Sequence, residues 1–108
     1  MQKTYKTDLG SISYSSIGKG DVILFLHGFL GNKKVWIPFV NHFKPNYQVI
    51  AIDLPGHGKT SIIEEEMTME FSAKLIKQIL DTEDILNVHI VGHSMGGYIG
   101  LAFAKLYP

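Results

Sequence analysis

The 108-residue sequence contains no cysteine, which excludes disulfide bonds, thiolate catalysis and cysteine-ligated metal sites. It also lacks a long hydrophobic run, since the most apolar stretch, around Val22 to Leu26, is far too short to span a bilayer. Neither sign of charge is in excess, because the ten basic and ten acidic side chains cancel. No net field would gather nucleic acid or an anionic membrane, so we expect the partner to be a small, weakly charged molecule.

The N-terminal segment lacks the apolar core that a secretory signal peptide requires. Met1 to Gly10 instead mixes Lys3, Lys6 and Asp8 with polar residues, so we expect a cytoplasmic protein. Across the chain, 45% of residues are hydrophobic and 11% are aromatic, which is typical of one compact domain. No spacing of histidine and carboxylate residues indicates a metal site, and the oligomeric state is left open.

Short apolar runs rich in β-branched residues predict buried strands at Val22 to Leu26, Tyr47 to Ile52 and Val88 to Val91. Runs that are apolar on both faces are typical of central strands in a parallel sheet. An antiparallel hairpin is expected before them, because Tyr5 to Thr7 and Ile12 to Ser16 flank the turn signal Asp8-Leu9-Gly10.

Helical patterns alternate with these strands. Their apolar positions are Trp36, Phe39, Val40 and Phe43 in the first pattern, and Leu75, Ile76, Ile79 and Leu80 in the second. Pro38 suits the first turn of one helix, Thr68 can cap the other, and a third helix is expected from Gly96 to Tyr107. This order predicts an α/β fold with a mostly parallel sheet and flanking helices, in which ligands bind beyond the carboxyl ends of the strands.

The loop after the last predicted strand, Gly92-His93-Ser94-Met95-Gly96, has the form Gly-x-Ser-x-Gly. A serine on a sharp turn between strand and helix must adopt a strained backbone, and side chains two residues before and after it would collide. Glycine at 92 and 96 removes both collisions. The hydroxyl then lies at the positive end of a helix, so Ser94 is the candidate nucleophile.

Three loops together resemble the N-terminal hallmarks of the α/β-hydrolase fold family, in order and in spacing. They are His27-Gly28-Phe29-Leu30-Gly31, Asp53-Leu54-Pro55-Gly56-His57-Gly58 and Gly92-His93-Ser94-Met95-Gly96-Gly97. The resemblance covers essentially the whole chain. It implies that residues 1–108 form the N-terminal portion of a single α/β-hydrolase domain.

The resemblance also implies an oxyanion hole made by the backbone N–H groups of Phe29 and Met95. The residues implied to contact substrate are Gly28, Phe29, His93 and Met95. Trp36, Phe29 and Leu30 are candidates for the wall of an acyl pocket. No cofactor is implied.

In this family the acid and the histidine base follow the nucleophile in the chain. The sequence ends at Pro108, where the sixth strand of the family would begin, so neither partner of Ser94 can be named. We expect a truncated domain whose last strand becomes an exposed edge, and which alone is unstable and inactive.

The remaining candidate residues in the loops have structural interpretations. The resemblance assigns His27 to anchoring the oxyanion loop and His57 to the turn after the fourth strand. Asp53 is expected to order the turn from Pro55 to Gly58, because the family's acid comes from a later strand. Gly58-Lys59-Thr60 imitates the end of a phosphate-binding loop, but aspartate occupies the position of its first glycine.

The leading functional prediction is an esterase-like or lipase-like serine hydrolase acting on an ester or similar acyl bond. A lyase is an alternative, because Leu26 to Gly31 and Trp36 are similar to the menaquinone-pathway SHCHC synthases, which eliminate pyruvate. Those enzymes usually carry arginine directly after the Gly-Gly of this loop, where Tyr98 stands here. The other alternative is a non-catalytic binding protein, against which the intact Ser94 argues.

Overall fold

A computed structural model describes residues 2–7, 10–28, 31–55, 57–58, 60 and 68–108. In chain order its elements are β1 (Gln2–Thr7), β2 (Gly10–Ile17), β3 (Val22–Leu26), a 3₁₀ turn (Lys33–Trp36), α1 (Ile37–Phe43), β4 (Gln48–Ile52), α2 (Met69–Thr82), β5 (His89–Gly92) and α3 (Met95–Leu106). The predicted strands and helices are confirmed to within a few residues. The 3₁₀ turn is an addition that the sequence patterns did not predict.

The described strands form one sheet in the order β1-β2-β4-β3-β5. β1 and β2 make the predicted antiparallel hairpin, whose turn residues Asp8 and Leu9 lie outside the described residues. β3 pairs in parallel with β4 on one side and with β5 on the other. The predicted α/β architecture, a hairpin followed by a mostly parallel sheet with flanking helices, is therefore confirmed.

Alternate side chains of the central strands enter different cores, because successive residues of a strand point to opposite faces of the sheet. Val22, Leu24 and Leu26 of β3 belong to the larger core, to which α2 and α3 contribute. Ile23 and Phe25 belong to a smaller core, which Trp36 completes on the other face. Burial on both faces explains why β3 and β4 are almost continuously apolar.

The helices begin where their sequence signals indicate. The Thr68 hydroxyl accepts a hydrogen bond from the Phe71 N–H at 3.0 Å, so Thr68 caps α2 as predicted. Pro38 lies in the first turn of α1, where its missing N–H costs nothing. The Asn32 side chain caps the 3₁₀ turn by accepting a hydrogen bond from the Lys34 N–H at 2.8 Å.

β5 occupies one edge of the described sheet, as the exposed-edge prediction required. Val91 is 42% exposed, and the neighbouring α3 exposes Tyr98 and Leu101 by 68% and 70%. These apolar side chains have little cover in the described part of the chain. None of the described helices combines the length and the apolar character needed to cross a membrane.

Candidate active site

The sheet brings the loops that follow β3, β4 and β5 to one edge. Leu26 at the end of β3 is in register with Ile52 of β4 and with Gly92 of β5. All three strands are parallel, so their carboxyl ends align. The first residue after β5 continues the contact, since the His93 N–H donates to the Leu26 carbonyl at 3.0 Å. The described residues of the three loops thus lie at the carboxyl ends of the strands, where the predicted fold binds its ligands.

Ser94 has the strained backbone that its predicted role requires. Its φ of 54° and ψ of −115° lie in a region that non-glycine residues rarely adopt. Such a conformation costs roughly 1–3 kcal/mol and persists only where the surrounding structure enforces it. Ser94 precedes α3 without capping it through its side chain, and it is exposed. The hydroxyl is therefore available for chemistry at the amino end of a helix.

The glycines on either side of Ser94 are needed for steric reasons, as predicted. A Cβ added at Gly92 would lie 2.6 Å from the carbonyl carbon and oxygen of Gly96. A Cβ added at Gly96 would lie 2.2 Å from the Leu26 carbonyl oxygen. Both contacts are shorter than real Cβ atoms make, and both are with backbone. The turn that presents Ser94 is thus possible only with glycine at these positions.

Gly28 brings the loop after β3 against the same turn. A Cβ added there would lie 2.9 Å from the His93 Nδ1 and 3.3 Å from the Ser94 Cβ. Because glycine has no side chain, the two loops approach to van der Waals contact beside the nucleophile. Gly28 and His93, both predicted to contact substrate, therefore lie next to Ser94.

A cleft of about 500 Å³ opens over Ser94. It is lined by Gly28, Gly31, Val35, Trp36, Phe39, His93 and Ser94. The Trp36 ring stacks on Phe25 with centroids 4.8 Å apart and meets Phe39 edge to face at 5.6 Å. This packing holds an apolar wall opposite the polar turn. Trp36 is thus a lining residue as predicted, whereas Phe29 and Leu30 lie outside the described residues.

Met95 contributes through its main chain. Its side chain packs against the larger core, away from the group of residues that line the cleft. Its N–H lies at the first position of α3, where no intrahelical acceptor is available. Within the described ranges this N–H has no hydrogen-bond acceptor, which leaves it available to an oxyanion beside Ser94.

His27 is fully buried and links two loops. Its Nε2 accepts a hydrogen bond from the Leu54 N–H at 3.0 Å, so its Nδ1 carries the proton and donates to the Gly28 carbonyl at 2.7 Å. Burial lowers the pKa of His27 below its ordinary value, against the opposing effect of the Gly28 carbonyl. His27 is therefore neutral in the folded protein and anchors the loop after β3, as the resemblance implied.

This pKa shift predicts a loss of stability in mild acid. Below about pH 6.5 the unfolded chain binds a proton at His27 that the folded chain still excludes. The free energy of unfolding should therefore fall as the pH decreases from about 7.5 to 5.5. We expect H27Q to reduce this fall in urea unfolding of the whole protein, while H42Q, at an exposed position of α1, keeps it. An unchanged pH dependence in H27Q would contradict the assignment.

The loop after β4 is held by its own contacts. The His57 ring lies 3.0 Å from the Pro55 carbonyl through Nδ1, in keeping with its predicted structural role. A Cβ added at Gly58, whose φ is +53°, would lie 2.4 Å from the carboxylate carbon of Asp53. Asp53 thus packs directly against this turn, as predicted.

The sequence patterns missed the residue that pairs with Asp53. Lys33 is only 5% exposed, and its Nζ lies 2.8 Å from the Asp53 Oδ2. Its own N–H donates to the Asp53 Oδ1 at 2.7 Å. A lysine in a short polar segment predicts a solvated side chain, and no periodicity in the sequence indicates its burial. Among the residues that the structure describes, no cluster of His, Asp and Glu could hold a metal ion.

Comparisons with known proteins identify the family of this fold. The sequence model of the alpha/beta hydrolase fold family matches residues 21–108. A 2-hydroxy-6-oxononadienedioate/2-hydroxy-6-oxononatrienedioate hydrolase of Escherichia coli is 33% identical over 103 residues, which cover 90% of this chain and 36% of that protein. The chain therefore spans little more than a third of the length of this curated relative.

Solved structures give the same picture. The N-acyl homoserine lactonase AidH, complexed with N-butanoyl homoserine, matches with a TM-score of 0.92 and 28% identity, over 100% of this chain and 41% of its own. The epoxide hydrolase VrEH1 from Vigna radiata matches with a TM-score of 0.89 and 25% identity, over 97% of this chain and 35% of its own.

Proposed function

The chain belongs to the α/β-hydrolase fold family, and from that premise we propose that the whole protein is a serine hydrolase acting on an ester or similar acyl bond. The observation that carries this proposal is the strained, exposed Ser94 beside an apolar cleft, next to a Met95 N–H that has no acceptor among the described residues. A strained residue and an unused donor at one place are typical of catalytic turns.

In the proposed reaction, the Ser94 Oγ attacks the carbonyl carbon while its proton passes to a general base. The carbonyl oxygen becomes an oxyanion held by the N–H of Met95 and by that of Phe29, which lies outside the described residues. Collapse of the tetrahedral intermediate breaks the bond to the leaving alcohol, which takes the proton from the base. Water then releases the acyl group from Ser94 by the same steps.

The base and its orienting acid are proposed to come from outside this chain. Among the described residues, neither His27 nor His93 suits the role of general base for Ser94. His27 is buried, and both of its ring nitrogens are engaged in hydrogen bonds. His93 is the residue directly before Ser94, and its position in the cleft lining supports a contact with substrate.

An uncharged acyl group suits the part of the cleft that this chain supplies. Val35, Trp36 and Phe39 form its apolar wall, and none of the described residues that line it carries a permanent charge. Lys33, although close in sequence, is buried in its ion pair with Asp53. The lactonase among the structural neighbours acts on N-acyl homoserine lactone, as its name states, which supports a substrate containing an ester bond and an acyl chain.

The two alternatives receive less support from the site. A lyase acting on an anionic substrate would benefit from a cation in the cleft, and the described lining contains none. A non-catalytic binding protein would have no need for the strain at Ser94, which costs stability without helping to bind a ligand. Hydrolysis remains the proposal that uses the strained Ser94, the Met95 N–H and the apolar cleft together.

The test is labelling of Ser94 by a fluorophosphonate in the whole protein. We expect one equivalent of label on the peptide that contains Ser94, because the probe needs an activated serine and an oxyanion hole. The control variant S15A also replaces a serine by alanine, but on β2, and it should take up as much label as the wild type. S94A should take up none. A folded protein that takes up no label at Ser94 would refute the hydrolase proposal.

A further inference from the structure

A buried ion pair beside the cleft has no role in the proposed reaction steps. The Lys33 Nζ lies 2.8 Å from the Asp53 Oδ2 and donates to the Ser13 Oγ at 3.0 Å. Lys33 is 5% exposed and Asp53 is 1% exposed. Burying two charges gains little stability over well-packed apolar side chains. The pair does, however, fix the position of the segment around Lys33 relative to the segment around Asp53.

The loop between β3 and the 3₁₀ turn is held at both ends. At its start, the His27 Nε2 accepts from the Leu54 N–H at 3.0 Å. At its end, the Lys33 N–H donates to the Asp53 Oδ1 at 2.7 Å, and the side chain of Lys33 binds the other carboxylate oxygen. Both ends of one loop are thus tied to two consecutive residues after β4.

The loop held in this way is the one that approaches the nucleophile. At Gly28, the second residue of the loop, an added Cβ would lie 3.3 Å from the Ser94 Cβ, so any larger residue there would press against the nucleophile. The Gly31 N–H closes a turn on the Gly28 carbonyl at 3.0 Å. This hydrogen bond links the Lys33 end of the loop to Gly28, so a shift at Lys33 would reach the backbone beside Ser94.

We propose that Lys33 is a positioning residue, which through its ion pair with Asp53 fixes the described ends of this loop, His27–Gly28 and Gly31–Lys33, and so supports the oxyanion donor that the proposed function assigns to the loop. This inference rests on the proposed function. It assigns Lys33 no contact with substrate and no proton transfer. Lys33 is expected to stabilise the transition state and not the bound substrate, because the oxyanion forms only in the transition state.

The test compares K33M with K34M in the whole protein. Both changes replace a lysine by a side chain of similar length without charge, but Lys34 is exposed. The rate of p-nitrophenyl butyrate hydrolysis would be divided by the concentration of active sites. That concentration is the amount of fluorophosphonate bound when labelling is complete. We expect K33M to lower kcat by about 10- to 100-fold, with KM changed by less than about threefold, since a displaced oxyanion donor affects the transition state. K34M should match the wild type.

K33M leaves Asp53 buried without its cation, which destabilises the fold whatever the role of Lys33 in catalysis. The double variant K33M/D53N removes both charges, and an asparagine oxygen can still accept the backbone N–H of residue 33. We expect it to be folded and to show the same fall in kcat. A wild-type kcat per labelled site in the folded double variant would overturn the proposal and leave the pair a purely structural role.

The two proposals fail in different ways. If the folded wild-type protein takes up no label at Ser94, the proposed function is refuted and the positioning role falls with it. If the wild type is labelled and turns over while K33M/D53N only lowers the melting temperature, the hydrolase proposal stands and the positioning role alone is wrong.

Discussion

Replacing Ser94 by alanine should lower kcat of the whole protein for acyl hydrolysis by roughly 10⁴- to 10⁶-fold, the size of effect seen when a serine nucleophile is removed. The exposed hydroxyl next to the Met95 N–H is the only part of the proposed machinery that forms a covalent bond. What remains after S94A would be the binding of substrate and the oxyanion donors. The measurement is the initial rate with p-nitrophenyl butyrate, at substrate concentrations that separate kcat from KM.

S94A should be as stable as the wild type, because the Ser94 hydroxyl makes no capping hydrogen bond and alanine keeps the same Cβ. A loss of rate therefore cannot be attributed to unfolding. S15A, on a strand of the hairpin, provides the matched control and should retain full activity. If S94A kept more than about a hundredth of the wild-type kcat, nucleophilic catalysis by Ser94 would be excluded.

Gly96→Ala is expected to have the largest effect on stability, reducing the free energy of unfolding by more than about 3 kcal/mol. The added Cβ would lie 2.2 Å from the Leu26 carbonyl oxygen and 2.6 Å from that of His27. Both atoms belong to the backbone at the end of β3, so neither can rotate away as a side chain would. Relief requires α3 to move off the sheet, which breaks its packing against β3 and β5.

Gly97→Ala is the matched control for this prediction. A Cβ at Gly97 would meet its nearest atom, the Gly92 carbonyl oxygen, at an ordinary 3.6 Å. In a helix, replacing glycine by alanine then gains up to about 1 kcal/mol. Urea unfolding of the whole protein should give a lower midpoint for G96A and an equal or higher one for G97A. Equal midpoints for both variants would show that the approach of α3 to β3 is not close.

Most of the fold could be predicted from patterns that are local in the chain. The apolar run Val22 to Leu26 coincides with β3, and the cap at Thr68 begins α2 where expected. The Gly-x-Ser-x-Gly turn was predicted from its pattern, its place between strand and helix, and steric reasoning, and the φ of Ser94 and the contacts of Gly92 and Gly96 confirm it. These features depend on neighbours within a few residues, which the sequence displays directly.

The resemblance to a known family supplied what local patterns could not. It indicated that the loops after β3 and β5 would serve one site and that His27 would be an anchor. The described residues of the two loops do lie together, and the contacts of His27 confirm the anchor. The oxyanion role of Phe29 stays a prediction, because this residue lies outside the described part of the chain.

The burial of Lys33 could not be predicted from the sequence alone. Its sequence neighbours are polar, and only the tertiary structure buries it against Asp53, 20 positions away. The sequence by itself determined the strands, the helices and the strained turn at Ser94, because periodicity, capping and steric clashes act between residues close in the chain. The tertiary structure alone decided that Lys33 is buried and pairs with Asp53, because the pairing of β3 with β4 brings these distant parts of the chain together.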